Sequence, residues 1–452
     1  MKKVAFIGVV LLGLLFFVMP LPRTISLRDL LLVLVLGCFA YLAWRRGVKI
    51  GAALHGISVP IGILVALTLW MYVLAFFISH ETSWSLNEIH SQWWRGLISF
   101  AAGVLIATAA RPGDELGKQA LLAVFIALLA HVIYIDAMVL YQWPQTWMHG
   151  GEFNRISGFA GGADKSNYVT NVLFCFVFAD LLSRRLYAKN FLALDARALW
   201  ATLALTLLSM FAERMRNGVI VFVLLLALAV LLYLQSRRGS IKKITLAASA
   251  AALLVVTLGG FTLAAFIKPV PSTVSFSTVI DTVAIAWDTE KYKSWQDEKK
   301  YAMPKLPNGE PVDPSLYQRV AWFKQGLLLI KDNPLGIGFG RNAYGHGLQA
   351  KYGAGRGHSH SGILDFAIGT GVPGMLLWLM FFVSLSVLAY RRYRATHSAA
   401  ALLLMFLLLD FGARMFGDSV IRDHMLQQFM LLVGVSCVLM TAKTALPKKS
   451  SA

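Results

Sequence analysis

The chain has 452 residues, of which 57% are hydrophobic and 14% are charged, well below the roughly 25% of charged residues in a soluble domain. A soluble protein of this length could not bury so much apolar surface, and a disordered chain would hold fewer aromatic and more charged residues. The formal net charge of +19 would indicate a nucleic-acid partner for a soluble protein, but in a membrane protein it marks the cytoplasmic side.

Twelve mainly apolar stretches approach the length of about 20 residues that a membrane helix needs. We number them spans 1 to 12, with approximate limits 4–19, 29–44, 57–79, 96–110, 119–141, 166–183, 198–212, 217–235, 244–267, 362–390, 399–413 and 424–442. Span 1 follows Lys2 and Lys3 as a signal peptide would, but no small-residue cleavage site comes after it. We therefore interpret span 1 as a retained membrane helix.

The basic residues between the spans predict the orientation of the chain. With the N-terminus inside, the cytoplasmic segments hold 21 Lys and Arg residues and the short outer loops hold nine. The loop between spans 9 and 10 holds the other twelve, but long loops are translocated largely regardless of charge. We expect a multi-pass protein with both termini in the cytoplasm, whose net charge reports topology and does not indicate a nucleic-acid partner.

The spacing of the spans divides the chain into three parts. Residues 1–267 hold spans 1 to 9, residues 268–361 form one large outer loop, and residues 362–452 hold spans 10 to 12 and a cytoplasmic tail. Within the loop, the apolar spacing predicts a helix over 315–330 with Ser315 as its N-cap. The fold class is therefore an all-α integral membrane protein with about twelve transmembrane helices and one large, partly helical periplasmic loop.

Two polar clusters are predicted at the outer ends of spans. The turn between spans 7 and 8 contains Arg214 and Arg216, and arginines at the membrane surface are costly unless they meet anions. Their planar forks suit phosphate oxygens, although an ordinary turn in which Glu213 pairs with one arginine is the competing interpretation. His358 and His360 fit three interpretations: a metal pair without a third ligand at suitable spacing, a solvated pair, or a general base.

Further polar residues lie on the same face. Loop 142–165 contains Arg155, and Asn167 opens span 6. Asp410 and Arg414 are four residues apart at the end of span 11, and we interpret them as a structural pair that neutralises itself. Basic forks, a candidate base and a glycine-rich loop on the outer face together favour an enzyme that acts on a phosphorylated lipid.

The long loop and span 10 carry a series of short motifs. Residues 333–340 read NPLGIGFG, residues 358–361 read HSHS, and residues 369–374 read GTGVPG. This series resembles the P-x-G-x-G-x-G, H-S-H-N and G-x-x-G pattern of the bacterial O-antigen ligase family. The twelve spans with one large outer loop before span 10 are similar to the layout of that family, so the resemblance covers essentially the whole chain.

The start of span 8 carries a second point of resemblance. Arg216-Asn217-Gly218 is similar to the S-R-G turn of the family, but here Asn217 separates the arginine from the glycine. This departure leaves open whether Arg214 or Arg216 takes the main arginine role.

The third point of resemblance precedes span 6. Arg155, followed by Gly158 and Phe159 and then by Asn167, is similar to the corresponding segment of the family. Ser361, at the end of the His motif, stands where the family often has Asn. That difference leaves open which side chain positions the base.

The resemblance implies both an activity and roles for residues. Such enzymes transfer a glycan from undecaprenyl diphosphate to lipid A–core on the periplasmic face of the bacterial inner membrane, by an inverting reaction that needs no metal or other cofactor. It implies that His360 is the general base and that Arg216 and Arg214 stabilise the leaving diphosphate. Residues expected to bind the diphosphate or the glycan are Arg155, Arg341, His358 and Asn167.

Three alternatives stay open beside an O-antigen ligase. An O-antigen polymerase or a protein O-oligosaccharyltransferase of the same superfamily would use the same donor with a different acceptor. A transporter of lipid-linked sugars belongs to a different class, and transporters often show internal repeats and helices interrupted at the midplane. The sequence shows neither feature, and its unusual polar groups lie at the outer surface.

Overall fold

The computed structural model describes residues 1–110, 114–150, 155–236, 276–353 and 357–441. Within these ranges the chain is helical, with an isolated antiparallel bridge between Lys305 and Pro311. The helices are α1 (Lys2–Val18), α2 (Ile25–Arg45), α3 (Ile50–His55), α4 (Ser58–Phe77), α5 (Thr82–Glu88), α6 (Trp94–Ala110), α7 (Glu115–Met148), α8 (Ala163–Tyr187), α9 (Ala196–Glu213), α10 (Arg216–Ser236), α11 (Phe276–Trp287), α12 (Pro314–Asp332), α13 (Ala343–Tyr352), α14 (Gly362–Thr396), α15 (Ala399–Gly417) and α16 (Asp423–Thr441). A π-helical turn, Ile89–Trp93, joins α5 to α6.

The helices confirm an all-α integral membrane protein. In the described ranges, nine helical segments are long and apolar enough to cross a membrane: α2, α4, the continuous segment α5–α6, α7, α9, α10, α14, α15 and α16. Helices α1 and α8 also occupy predicted spans, but α1 has only 17 residues and α8 carries several polar side chains. Predicted span 9, residues 244–267, lies outside the described residues.

Glycines allow the closest helix pair of the bundle, α6 and α16. A Cβ on Gly103 would lie 2.1 Å from the carbonyl oxygen of Leu431, and one on Gly434 would lie 2.3 Å from that of Phe100. The two backbones therefore touch, as small residues allow in membrane helix pairs. Most of α16 is buried, so this helix occupies the interior of the bundle.

The glycine-rich loop before α13 pairs with the kinked start of α14. Gly371 has a φ of +70°, and Pro373 follows it, so α14 bends there. The loop runs alongside this bend, with Ile337 N donating to Ile368 O at 3.1 Å and Gly338 N donating to Gly369 O at 3.0 Å. A Cβ on Gly371 would lie 2.2 Å from the backbone of Leu335, so two of the sequence motifs form one close backbone contact.

Residues 276–353, which we call the outer domain after the predicted outer loop, have their own hydrophobic core, which contacts the bundle. Trp295, Tyr317 and Trp322 are buried in it, and Leu364 and Ile368 of α14 join the same cluster. Helix α12 was predicted over 315–330 and is observed at Pro314–Asp332. The predicted N-cap, Ser315, is wrong: the side chain of Asp313 accepts from Leu316 N at 2.9 Å, and Pro314 begins the helix.

Candidate active site

Asn167, near the N-terminus of α8, links three helices at the outer end of the bundle. Its side chain is fully buried, its Nδ2 donates to Glu213 Oε2 at 2.7 Å, and its Oδ1 accepts from Arg414 Nη2 at 2.7 Å. Thr170 Oγ1 donates to the other oxygen of Glu213 at 2.9 Å. Two side chains of α8 therefore hold both oxygens of the Glu213 carboxylate.

Arg414 pairs with Asp418, one turn beyond it at the end of α15. Its Nη1 lies 3.2 Å from Asp418 Oδ2, and the arginine side chain is fully buried. The sequence interpretation of a self-neutralising Asp410–Arg414 pair is therefore wrong. The hydrogen bond from Nη2 to Asn167 fixes the guanidinium toward the outer end of the helix, where Asp418 lies.

The turn between α9 and α10 presents the predicted arginines. Arg214 adopts a left-handed conformation with a φ of +49°, and Arg216 begins α10 with an exposed side chain. Arg155 Nη2 donates to the backbone oxygen of Arg214 at 3.3 Å, so three arginines lie around this turn. Among the described residues, no hydrogen bond or ion pair engages the Arg216 side chain, which leaves its fork available to an anion.

Gly218 lets the turn lie against the buried network. A Cβ at this position would lie 2.0 Å from Asn167 Oδ1 and 2.3 Å from its Nδ2. The neighbouring Asn217 Nδ2 donates to Asp418 Oδ2 at 3.1 Å. The residue that separates Arg216 from Gly218 therefore ties the turn to the end of α15.

We expect substitution of Asn167 by alanine to destabilise the protein. The change would leave the buried Glu213 carboxylate and Arg414 guanidinium without one partner each, a loss of about 2–5 kcal/mol in the free energy of unfolding. Thermal unfolding in detergent measures the effect, and Asn190→Ala, at an exposed position beyond the other end of α8, is the matched control. Equal melting temperatures for the two variants would contradict this account of the network.

Asp365, in the first turn of α14, shapes the His motif. Its Oδ1 accepts from Ser359 N at 3.0 Å and from Ser359 Oγ at 2.8 Å, while its Oδ2 accepts from Ser419 Oγ at 2.5 Å. Ser361 Oγ caps α14 by accepting from Leu364 N at 3.4 Å. The serine that replaces the expected Asn thus serves as a helix cap, and the carboxylate of Asp365 holds the turn.

His358 and His360 lie side by side as neutral imidazoles. Their ring centroids are 4.2 Å apart, and the His360 ring stacks on Trp322 of the outer domain at 5.5 Å. His360 N donates to His358 Nδ1 at 3.2 Å, so His358 carries its proton on Nε2.

Burial lowers the pKa of His358 to about 3. The pKa of His360 is also lowered, mainly by burial and to a smaller extent by the positive charge of Arg319. Within the described ranges, neither ring nitrogen of His360 has a hydrogen-bond partner, so both are available to substrate.

A narrow cleft opens beside the His motif. His358, Asp365, Ser419 and Arg422 line one side, and Arg341 lines another. Arg422 Nε is buried and has no hydrogen-bond partner in the part of the chain that the structure describes. Sequence reasoning missed this arginine, whose only signal was its place at the outer end of span 12.

Arg341 is held by an acid from a distant part of the chain. Its Nε and Nη2 donate to Glu88 at 2.9 and 2.8 Å, its backbone N donates to the same carboxylate at 3.0 Å, and its Nη1 lies 3.8 Å from Asp423 Oδ1. Hydrogen bonding to Glu88 raises the pKa of Arg341. The fork of this predicted diphosphate-binding residue is thus directed at Glu88, and it fixes the glycine-rich loop against the π-helical turn.

The segment after α15 brings the two predicted clusters together. The side chain of Asp418 accepts from Arg414 and Asn217, and its backbone oxygen accepts from Gly362 N at 2.9 Å. The arginine turn and the His motif therefore lie on either side of residues 418–420. Among the described residues, no three His, Cys, Asp or Glu side chains group closely enough to hold a metal ion.

Residues 201–379 match the family model described as O-antigen ligase. The match covers the arginine turn, the outer domain, the His motif and the start of α14, and it confirms the family resemblance. Members of this family are glycosyltransferase-like enzymes. A search of curated proteins finds no match to the chain.

Proposed function

Because its residues 201–379 belong to the O-antigen ligase family, we propose that this protein transfers a glycan from undecaprenyl diphosphate to lipid A–core. The reaction takes place on the periplasmic face of the bacterial inner membrane, with both termini of the chain in the cytoplasm. The observation that carries the proposal is that the half-buried His360 and the exposed guanidinium of Arg216 lie on either side of residues 418–420, at one end of a membrane bundle. A base beside anion-binding forks suits attack on a sugar that leaves from a lipid diphosphate.

His360 is the proposed general base. The acceptor hydroxyl oxygen attacks the anomeric carbon while its proton passes to a ring nitrogen of His360. The bond between that carbon and the diphosphate oxygen breaks, and its electron pair leaves with the diphosphate. A single displacement of this kind inverts the configuration at the anomeric carbon.

The arginines are proposed to stabilise the leaving group. Negative charge grows on the diphosphate in the transition state, and guanidinium forks fixed beforehand stabilise such charge without reorganisation. Arg216 and Arg214 take the main role at the turn, with Arg155 beside them and Arg422 in the cleft. The positive charge of these groups takes the place of a metal ion in the proposal, which also requires no other cofactor.

The remaining predicted residues are proposed to position the arginine turn, the base and the wall of the cleft. Asn167 is fully buried, so its proposed contribution is to hold the arginine turn. His358 accepts from the backbone of His360 and thereby orients the base. Arg341 fixes the wall of the cleft through Glu88, and its Nη1 faces Asp423.

The pH dependence of kcat/KM should reflect the lowered pKa of His360 in the free enzyme. Protonated His360 cannot accept a proton, so kcat/KM should hold a plateau down to the ordinary histidine value of 6.5 and fall only at more acidic pH. His360 binds a proton more readily in the unfolded chain than in the native one, so this residue lowers the stability of the fold below pH 6.5, and initial rates must be measured. A half-maximal rate above pH 6.5 would contradict the assignment.

A strain that lacks the protein tests the proposed function in the cell. The expected result is accumulation of the lipid-linked glycan together with unmodified lipid A–core. Lipid A–core that carries a single repeat unit would instead indicate a polymerase. Loss of glycan from a secreted protein would indicate an oligosaccharyltransferase, and lipid-linked glycan trapped in the inner leaflet would indicate a transporter.

A further inference from the structure

A second cavity lies on the other side of the glycine-rich loop from the cleft. It has a volume of about 270 Å³, just below the roughly 300–1,000 Å³ that is typical of ligand sites. Its walls come from residues 80–84 before and within α5, the end of α12, and α13. None of the roles proposed for His360 or the arginines uses this cavity.

One wall of the cavity is aromatic and fixed in place. The rings of Trp84 and His346 stack with centroids 4.0 Å apart and planes 26° apart. A Cβ on Gly340 would lie 2.6 Å from the Trp84 ring, so the glycine-rich loop packs tightly against the indole. His346 Nδ1 lies 2.9 Å from Glu81 Oε1, which orients the imidazole. Aromatic walls of this kind pack against the apolar C–H faces of sugar rings.

The rest of the lining is largely apolar, and its few charged groups nearly balance one another. Lys351 Nζ lies 2.6 Å from Asp332 Oδ2, and both side chains remain partly exposed, at 35% and 46%. Glu81 and Asp332 accept hydrogen bonds, whereas Lys351 donates them, so adjacent hydroxyls of one sugar can be recognised together. A phosphorylated ligand would need an excess of cations, and two carboxylates against one lysine do not provide it.

The glycine-rich loop forms a wall shared by the cavity and the cleft. Phe339 and Gly340 of the loop line the cleft, while Asn333 and Ile337 of the loop line the cavity. A linear ligand whose reacting end occupies the cleft can therefore extend along this loop into the second cavity.

We propose that the cavity between α5, α12 and α13 is a subsite for uncharged sugar units of a glycan substrate, beyond the unit that reacts. This inference rests on the proposed glycosyl transfer for its biological meaning. Two substrates can supply such sugars, the lipid-linked donor and the oligosaccharide of the acceptor. The aromatic wall and the Asp332–Lys351 pair bind the sugars, and the site acts on affinity without taking part in bond breaking.

The test uses the full-length protein with Asp332→Ala and His346→Ala variants. His149→Ala, an exposed histidine at the end of α7, is the matched control. We expect the two cavity variants to raise KM for a donor with a complete repeat unit about 10-fold, with kcat within about twofold, because each removes hydrogen bonds or stacking to bound sugar. KM for a donor trimmed to a single sugar should not change.

The KM values for the donor and for the acceptor show which substrate supplies the sugars. A binding measurement tests the subsite independently of the reaction. A KM increase for full-length lipid A–core, absent with a truncated core, would place the acceptor in the cavity and support the subsite. Saturation-transfer NMR with the free oligosaccharide released from the donor measures binding without transfer. Binding that the cavity variants weaken would support the subsite even if the protein showed no transferase activity. Unchanged KM values of both cavity variants for the donor and for the acceptor would overturn it.

Discussion

Replacing His360 with alanine should lower kcat for glycan transfer about 10²–10⁴-fold, the usual contribution of a positioned general base. The ring is half-buried, is neutral because burial lowers its pKa, and stacks on Trp322, which holds its plane beside the cleft. Without it, the acceptor hydroxyl lacks the neutral imidazole that we propose as its proton acceptor. The effect should fall on kcat, since the arginine turn that we propose to bind the diphosphate is left in place.

A second variant and a control make this result interpretable. Because His360 adopts a φ of +57° and packs against Trp322, alanine changes the packing as well as the chemistry. His360→Gln retains a polar side chain but provides no comparable base, so it should lose activity to a similar extent. His149→Ala, at the exposed end of α7, should keep full activity. Activity within a few-fold of the unmodified protein in folded His360 variants would contradict the assignment.

Substitution of Arg216 by lysine should have the second-largest effect. Lysine keeps the positive charge but loses the planar fork that binds two phosphate oxygens at once. We expect kcat to fall about 10–10²-fold for Arg216→Lys and about 10²–10³-fold for Arg216→Ala, in line with the loss of one fixed transition-state donor. Steady-state kinetics with a fixed acceptor and a varied lipid-linked donor measures both.

Arg185 provides the matched control for this prediction. It is an exposed arginine at the opposite end of α8 from Asn167, so Arg185→Lys should leave transfer unchanged. If Arg216→Lys also kept full turnover, bidentate contact between Arg216 and the diphosphate would be excluded. Because the Arg216 side chain is exposed, neither change should lower the melting temperature appreciably.

The membrane helices were the most predictable part of the fold, because a membrane span needs a run of apolar residues that any reader of the sequence can find. Ion pairing was less predictable. Arg414 has an acid four residues before it and another four residues after it, so helical spacing alone cannot choose between Asp410 and Asp418. The choice depends on Asn167, which lies 247 positions away and directs the guanidinium outward.

The candidate site, like the fold, could be predicted from the sequence only in part. The resemblance to the O-antigen ligase family led to the prediction of His360 and the arginine turn, because the residues alone left a solvated histidine pair and an ordinary turn open. Asp365 and Arg422 were missed, because their significance depends on contacts with Ser359 and Ser419 or on a cleft built from three separate segments. The glycine-rich loop indicated a close approach, but only the structure shows that the approach is to α14 and Trp84.

Transfer by the purified protein, in detergent, tests the central claim most directly. The assay supplies an undecaprenyl-diphosphate glycan with a labelled sugar, together with either lipid A–core or an excess of unlabelled lipid-linked glycan. We predict that the label moves to lipid A–core with inversion at the anomeric carbon, and that undecaprenyl diphosphate is released in equal amount. Label that instead lengthens the lipid-linked glycan, or that stays on the donor when lipid A–core is present, would contradict the account.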